Sequence, residues 1–166
     1  MTRKTTTMLR VRDGQRILQF DGEQIGSSTS KRRDAVRWIE FYLYRTTEEK
    51  QYILSRVGFS KVYHLPECDI AENSKLDESP RAEVESGDVP CDECRPHLSN
   101  FPFVSFEREK HWARVYATPG EVIDGLMKKD VKSGNRYMTA VARRLLEDAG
   151  QVDDDIYESV NVETIR

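Results

Sequence analysis

This sequence of 166 residues is poor in cysteine and histidine, with three residues of each. So few cysteines, in an odd number, do not suit the disulfide framework of a small secreted protein. No apolar run approaches the roughly 20 residues that span a bilayer, and no secretory signal peptide is recognisable. The sequence therefore predicts a cytoplasmic protein with reduced thiols and no membrane association.

The sequence also lacks the motifs of several large enzyme classes. It contains no glycine-rich phosphate loop, no GxSxG nucleophile elbow and no HExxH metalloprotease motif. His111 is the one histidine away from the cysteines, and a lone histidine beside Trp112 is more often a packed or surface residue than a catalytic one. A metal-dependent hydrolase would need carboxylates such as Asp34 and Glu40 near a lysine, and no lysine completes that pattern. We therefore predict that the protein is not an enzyme.

The few cysteines are arranged in a way that is typical of a zinc site. His64 and Cys68 form an H-x3-C pair, and after a gap of 22 residues Cys91 and Cys94 form a C-x2-C pair. Structural zinc sites fill four tetrahedral positions with thiolate sulfur and imidazole nitrogen from the protein. Four protein ligands leave no position for a reactive water, which favours a structural Zn2+. His97 is the alternative fourth ligand, but we favour His64 because two compact pairs then result.

The cysteines have a second interpretation, as ordinary buried thiols or a redox pair. A thioredoxin-like C-x2-C motif opens a helix that follows a strand. Cys91 and Cys94 lie instead in a proline-rich and acidic stretch, PCDECRPH. The spacing and the ligand types therefore favour the metal.

The stretch VYHLPECDIAENSK … VESGDVPCDECRPH resembles the small zinc module of Ada-type DNA alkyl-phosphotriester repair proteins, and relatives of that module appended to nucleases and other bacterial proteins. The resemblance covers about residues 62–98 and rests on the H-x3-C spacing, the spacer and PCxxCRP. In the repair family the first ligand is a cysteine that accepts the methyl group, and here His64 stands in its place. The resemblance therefore implies the zinc scaffold on His64, Cys68, Cys91 and Cys94, without the repair reaction.

Charge is distributed unevenly along the chain. Residues 1–63 contain thirteen Lys and Arg against seven Asp and Glu, a formal +6, whereas residues 64–97 contain three against ten, a formal −7. An acidic segment repels phosphates, whose neutralisation supplies most non-specific affinity for nucleic acids. The segment 64–97 therefore suits a basic protein partner better, unless its acids only solvate a loop.

Residues 1–63 are predicted to form an antiparallel sheet. The Asp-Gly pairs at 13–14 and 21–22 are turn signals between short alternating segments. Residues 37–45 alternate as a long strand with one apolar face and one aromatic face. Residues 51–57 are expected to pair back onto that strand, so the zinc ligands follow directly after the sheet.

Two features of this region are candidate contacts for a nucleic acid or a protein. One is the Ser- and Arg-rich loop predicted at 26–33, whose hydroxyls and consecutive basic residues suit phosphates. The other is a row of aromatic side chains that could stack on bases or dock a protein. Each also has a structural explanation, as a solvated connection and as sheet packing. The candidate contact residues are Ser28, Ser30, Lys31, Arg32, Arg33, Trp38, Tyr42 and Tyr44.

The C-terminal part is predicted to contain a strand at 112–117 followed by helices. Thr118 is a suitable N-cap for the first helix, which carries a capping-box glutamate and is expected to end at the Ser-Gly-Asn stretch 133–135. Apolar residues at helical spacing predict a second helix that ends at Gly150 as a left-handed C-cap. The tail from Asp153 is either a short third helix or mobile.

Together these features predict a single α+β domain. It has an N-terminal antiparallel β-sheet over residues 1–63, an inserted acidic zinc knuckle over 64–98, and a strand with helices over 99–166. We predict a non-catalytic, zinc-stapled binding protein, an adaptor or regulatory subunit of a bacterial or phage system, with a protein partner or self-association favoured. The alternative is a nucleic-acid-binding protein that uses the basic N-terminal sheet and the Ser/Arg-rich loop.

Overall fold

The computed structural model of this chain describes residues 7–64, 88–91, 105–106 and 109–162. Within these ranges the chain is rich in β-structure, with a five-stranded antiparallel sheet and three C-terminal helices. The predicted α+β class is therefore confirmed. The predicted zinc knuckle over 64–98 lies largely outside the described residues.

Ten strands and three helices are defined in the described part of the chain. The strands are β1 (Met8–Asp13), β2 (Arg16–Thr29), β3 (Arg37–Thr46), β4 (Tyr52–Ser60), β5 (Val62–His64), β6 (Val89–Pro90), β7 (Ser105–Phe106), β8 (Lys110–Tyr116), β9 (Lys128–Lys129) and β10 (Arg136–Tyr137). The helices are α1 (Pro119–Leu126), α2 (Ala140–Gly150) and α3 (Asp154–Asn161). The large sheet has the order β1-β2-β3-β4-β8, β6-β5-β7 form a three-stranded sheet, and β9 and β10 form a hairpin.

The chain divides into two compact units. Unit 1 comprises Met1–Thr29, Glu40–Arg56 and Trp112–Arg166, and unit 2 comprises Ser30–Ile39 and Val57–His111. Strands β3, β4 and β8 contribute residues to both units.

The first hairpin of unit 1 forms at the predicted turn. Strands β1 and β2 are antiparallel, with Asp13 opposite Arg16, and Gly14 in the turn has a φ of 60°, which glycine adopts without strain. The second predicted turn, at Asp21-Gly22, is wrong, because β2 continues through both residues. Glycine is required at Gly22 for another reason: a Cβ there would collide with the backbone carbonyl of Arg45 on β3.

The last residues of β2 form a platform for helix α2. The sequence predicts a loop from Gly26 onward, but the strand continues to Thr29 because it stays paired with β3. Gly26 lets the helix approach, since a Cβ at this position would lie 2.9 Å from the Cβ of Ala149. The backbone N–H of Ser27 donates to the Asp148 carboxylate at 2.9 Å. The connection between β2 and β3 is therefore shorter than the predicted loop.

Apolar side chains from the sheet and from all three helices fill the core of unit 1. The largest fully buried ones are Tyr52, Leu43, Leu54, Leu145, Leu146, Ile156 and Val122. Burial of an aliphatic side chain of this size contributes about 1.5–3 kcal/mol. Phe41 and Leu43 are both buried, which confirms the predicted apolar face of β3.

One charged side chain, Asp153, is buried with this core and is 2% exposed. Its carboxylate caps α3 by accepting the N–H of Ile156 at 2.9 Å, and it also accepts from Arg45 Nη1 at 2.9 Å and from the Tyr52 hydroxyl at 3.0 Å. Burial by itself raises the pKa of Asp153, but these hydrogen bonds outweigh burial and lower the pKa below its usual value. The ionised carboxylate therefore joins α3 to β3 and β4.

A second carboxylate, Asp13, connects β1 with β8. It accepts the backbone N–H of Ala113 at 3.2 Å and forms ion pairs with Arg16 at 2.9 Å and Arg114 at 3.2 Å. Burial raises the pKa of Asp13, and these partners more than offset that effect and lower it. The side chain is more accessible than that of Asp153, with 17% of its surface exposed.

Helix α1 begins at the predicted N-cap, α2 ends at Gly150 as predicted, and the tail from Asp153 forms the short third helix α3. Thr118 accepts the N–H of Glu121 at 3.2 Å, as expected of the N-cap of α1. Helix α1 ends at Leu126, earlier than predicted, because a hairpin follows it. The predicted left-handed cap at Gly150 is also wrong: this residue ends α2 and lies buried against Tyr157 of α3. Among the described residues no helix is long and apolar enough to cross a membrane.

Candidate functional site

Two predicted zinc ligands, His64 and Cys91, lie at the ends of the paired strands β5 and β6 of unit 2. Strand β5 pairs in parallel with β6, with Tyr63 opposite Pro90. The N–H of Cys91 donates to the carbonyl of Tyr63 at 2.9 Å, so the pairing continues past the end of β6. His64 is therefore the last residue of β5, and Cys91 follows the last residue of the adjacent strand β6, although 26 residues separate the two in the sequence.

The backbone at this point is compatible with a shared metal ion. Neighbouring strands lie about 4.8 Å apart, and zinc binds sulfur at about 2.3 Å and imidazole nitrogen at about 2.0–2.1 Å. Cys91 is buried, with 5% of its surface exposed. On the other side of β5, His64 is paired with Ser105 of β7. Two residues on neighbouring strands can supply two ligands to one ion.

Cys68, Cys94 and the alternative ligand His97 lie outside the described residues. Within the described ranges, no group of three or more His, Cys, Asp and Glu side chains could hold a metal ion. The Cys3His site thus stays a prediction, and the pairing of β5 with β6 is the structural observation that favours it.

Unit 2 also contains a basic and aromatic cluster, made of Lys31, Trp38, Phe59 and Lys61 and termed here the Trp38 cluster. The rings of Trp38 and Phe59 are stacked, with centroids 5.2 Å apart and planes inclined by 11°. Lys31 Nζ lies 4.6 Å from the centroid of the Trp38 ring and Lys61 Nζ lies 5.9 Å from it. Such cation–π contacts contribute about 0.5–1 kcal/mol each at exposed sites.

Hydrogen bonds within unit 2 hold the segment that carries Lys31 and Trp38. The backbone N–H of Ser30 donates to the carbonyl of Ile39 at 2.9 Å, and the N–H of Ile39 donates to the Ser30 hydroxyl at 2.9 Å. The N–H of Lys61 donates to the carbonyl of Val36 at 2.8 Å. Ser30, predicted as a contact residue, therefore closes the base of this segment.

The Trp38 cluster has the chemistry of a nucleic-acid contact. Lys31 and the two residues that follow it, Arg32 and Arg33, are exposed, and Trp38 is half-buried. Proteins that bind single strands combine positive charge along the backbone with aromatic rings on which bases stack. Three predicted basic residues and one predicted aromatic residue therefore lie in one unit.

The other predicted contact residues belong to unit 1 and have partners there. The Ser28 hydroxyl donates to the carbonyl of Val141 at 2.8 Å, which ties β2 to α2. The Tyr42 hydroxyl donates to the Glu40 carboxylate at 2.5 Å, and this bond, together with burial, raises the pKa of Tyr42 to about 12. The ring of Tyr44 packs edge-on against Phe20, with centroids 5.6 Å apart, and burial raises the pKa of Tyr44.

Phe59 and Lys61 were not among the predicted contact residues. The predicted return strand ended at residue 57, whereas β4 continues to Ser60 and β5 starts at Val62. The available signal was an aromatic residue and a lysine just before the predicted zinc ligands. It points to a contact with Trp38 only once the strand pairing is known.

The resemblance of residues 62–98 to the Ada-type zinc module depends on the spacing of four ligands. Two of the four, Cys68 and Cys94, lie outside the described residues, so the resemblance stays a prediction. Comparisons of the chain with protein-family models, curated proteins and solved structures found no match.

Proposed function

We propose that this protein is a non-catalytic nucleic-acid-binding protein whose unit 2 is stapled by one structural Zn2+. The observation that carries the proposal is the Trp38 cluster, in which two lysines lie against a stacked pair of aromatic rings. The sequence favours a protein partner because of the acidity of residues 64–97. Most of that segment lies outside the described residues, whereas the Trp38 cluster belongs to the described part of unit 2.

The arrangement of the cluster favours a single-stranded ligand. A base would stack on the Trp38 ring in place of the lysine side chain that lies over it, and every base has a face that can do so. A base is accessible for stacking only where it is not paired. Lys31, Arg32 and Arg33 would then neutralise phosphates and release counterions, which supplies affinity without sequence specificity.

The metal would contribute folding free energy and no reaction. His64, Cys68, Cys91 and Cys94 would hold it, closing the chain that leaves β5 onto the chain that leaves β6. The described buried apolar residues of unit 2 are few: Val57, Val62, Tyr63 and Cys91. Small units often depend on a metal or another cross-link to fold.

Nucleic-acid binding is tested by comparing the two tryptophans of the chain. Anisotropy of a fluorescein-labelled single strand would report the affinity of the full chain and of the variants Trp38→Ala and Trp112→Ala. Stacking contributes about 1–3 kcal/mol per base, so Trp38→Ala should weaken binding roughly 5- to 150-fold. Trp112 lies in unit 1, 4.8 Å from the Arg114 guanidinium, and its replacement should leave the affinity unchanged.

The affinity of the single strand should also fall steeply as salt is raised. Absence of salt-dependent binding, or equal losses for the two tryptophan variants, would reject the proposal. Co-purification of a stoichiometric protein in that case would support the adaptor function instead.

The metal is tested separately by elemental analysis of reduced protein. About one zinc per chain is expected, retained by His97→Ala and weakened by His64→Ala, because His64 ends β5 and Cys91 follows its partner strand β6. The opposite result for the two histidines would reassign the fourth ligand. Metal-free protein whose thermal melt is unaffected by chelators would exclude the staple.

A further inference from the structure

A basic hairpin projects from unit 1 between helices α1 and α2. Strands β9 and β10 are antiparallel, with Lys128 opposite Tyr137 and Lys129 opposite Arg136. Every residue from Lys128 to Tyr137 is exposed. This ten-residue segment, KKDVKSGNRY, contains four Lys and Arg and one Asp, a formal charge of +3.

The side chains of the hairpin are not packed in a core. Hydrogen bonds within its turn hold the hairpin in shape instead. The Asp130 carboxylate accepts the N–H of Lys132 at 3.1 Å and the Ser133 hydroxyl at 2.9 Å, and these bonds lower the pKa of Asp130. The backbone N–H of Asp130 donates to the carbonyl of Asn135 at 2.8 Å, and Gly134 has a φ of 74°. The one acid of the hairpin is thus used inside the turn, and the outward charge is positive.

Arg136 joins the hairpin to helix α1. Arg136 forms an ion pair with the Asp124 carboxylate, with Nη2 and Oδ1 3.2 Å apart. Lys128, Lys129 and Lys132 form no ion pair within the described part of the chain. Three lysine side chains are therefore available for a ligand on an element that is fixed at its base.

We propose that the β9–β10 hairpin is a second nucleic-acid contact, which enters the groove of a duplex. This inference rests on the proposed function and adds double-stranded nucleic acid to the ligands of that function. A two-stranded β-ribbon fits the major groove of B-DNA, which is about 12 Å wide. The duplex carries about one charge per 1.7 Å of its axis, so lysines on a ribbon in the groove meet phosphates on either side.

The composition of the hairpin favours nucleic acid over an acidic protein. The cores of protein–protein interfaces are depleted in lysine and enriched in buried aromatic anchors. Phosphate and sugar contacts come instead from Lys, Arg, Ser, Asn and Tyr side chains. Apart from Asp130, Val131 and Gly134, every residue of the hairpin is of one of these types.

Val131 at the tip would be the one apolar contact. It is 99% exposed and lies between Asp130 and Lys132. Apolar side chains in the major groove contact the methyl group of thymine. Val131 would thus add affinity that does not depend on charge.

The inference is tested by the salt dependence of binding. The full chain is titrated with a short labelled duplex of mixed sequence, and with the corresponding single strand, over a series of salt concentrations. Each phosphate contact contributes about 0.9 to the slope of log K against log salt, so Lys128→Ala with Lys132→Ala should reduce the duplex slope by about 1.8. The matched control, Lys50→Ala with Lys110→Ala, removes the same charge elsewhere and should leave the slope unchanged.

A second variant separates charge from apolar contact. Val131→Ser should lower the affinity for the duplex several-fold and leave the slope unchanged. Equal slopes for the two lysine pairs, or no duplex binding by the wild-type chain, would overturn the inference. So would salt-sensitive self-association that only the Lys128/Lys132 variant loses, because the hairpin would then contact an acidic protein surface.

Failure of this inference differs from failure of the proposed function. If the single strand still binds and Trp38→Ala lowers its affinity, the hairpin is excluded as a nucleic-acid contact, and the Trp38 cluster is retained as one. If the wild-type chain binds neither form, both are excluded.

Discussion

The two units of this protein differ in what holds them together. Unit 1 buries large apolar side chains from its strands and helices around one ionised carboxylate. Unit 2 is described through short paired strands, a stacked pair of rings and a few buried apolar residues. The comparison teaches that one chain can combine a conventional core with a unit that, as we propose, depends on a metal ion. Loss of the metal should therefore affect the two units differently.

The strongest test of this difference is Cys91→Ser. Removal of this buried thiol, the proposed zinc ligand, should abolish zinc binding, whose free energy in small zinc modules is on the order of 10 kcal/mol. Hydrogen exchange measured by mass spectrometry should show loss of protection in β5 and β6, while α2 and α3 keep theirs. Chelation of wild-type zinc should reproduce this pattern. Retained zinc, or equal loss of protection in both units, would contradict the comparison.

The converse test is Asp153→Ala, which should destabilise unit 1 and leave zinc bound. The substitution removes a buried partner of Arg45 and the N-cap of α3, and breaking a buried ion pair costs about 3–5 kcal/mol. Urea unfolding followed by circular dichroism of the helices measures this loss. Asp13→Ala is the matched control, and as a more accessible ion pair it should cost about 1 kcal/mol. Equal losses for the two aspartates would argue against a special role of the buried cluster.

The lowered pKa of the Asp153 carboxylate predicts that the stability of the protein depends on pH. The pKa of Asp153 is lowered in the folded state, so its contribution to stability is present above the unfolded value of about 3.9 and is lost as pH falls through the folded pKa. The difference in unfolding free energy between wild type and Asp153→Asn should therefore shrink below about pH 4. A difference that stays constant on acidification would show that the ionised form is not what stabilises the cluster.

The smallest effect is expected from glycine replacements in the two units. Gly26→Ala would introduce a Cβ 2.9 Å from that of Ala149, and such overpacking costs about 1–3 kcal/mol. Gly58→Ala in unit 2 meets nothing closer than 3.9 Å and should not destabilise the protein. Urea midpoints of the two variants measure the difference. If Gly26→Ala is as stable as Gly58→Ala, helix α2 does not depend on this close approach.

Local features of the fold were predictable from the sequence. The turn at Gly14, the apolar face of β3 and the cap at Thr118 each depend on residues within a few positions of one another. The two wrong turn and loop assignments, at Gly22 and Gly26, have one cause. Both glycines are required by a neighbouring element that is distant in sequence, and a glycine that permits a turn has the same sequence signal as one that permits close packing.

The candidate sites also combine features that are visible in the sequence with features that depend on the fold. The ligand spacing and the basic residues from Lys31 to Arg33 are visible in the sequence, because side-chain chemistry does not depend on the fold. The stacking of Phe59 on Trp38 depends on where β4 ends. The hairpin from Lys128 to Tyr137 was predicted to include the end of a helix. The positive charge of the hairpin could be predicted from the sequence, but the exposure of its side chains could not.

By itself, the sequence determined the α+β class, the uneven charge and the residues with metal-binding or phosphate-binding chemistry. Tertiary structure alone decided that His64 ends one of two paired strands and Cys91 follows the other, that Lys61 lies against Trp38, and that the buried Asp153 pairs with Arg45. The physical reason is that composition and local propensity act over a few residues. Pairing and burial instead join residues that are tens of positions apart, and their free energy is gained only when the chain has folded.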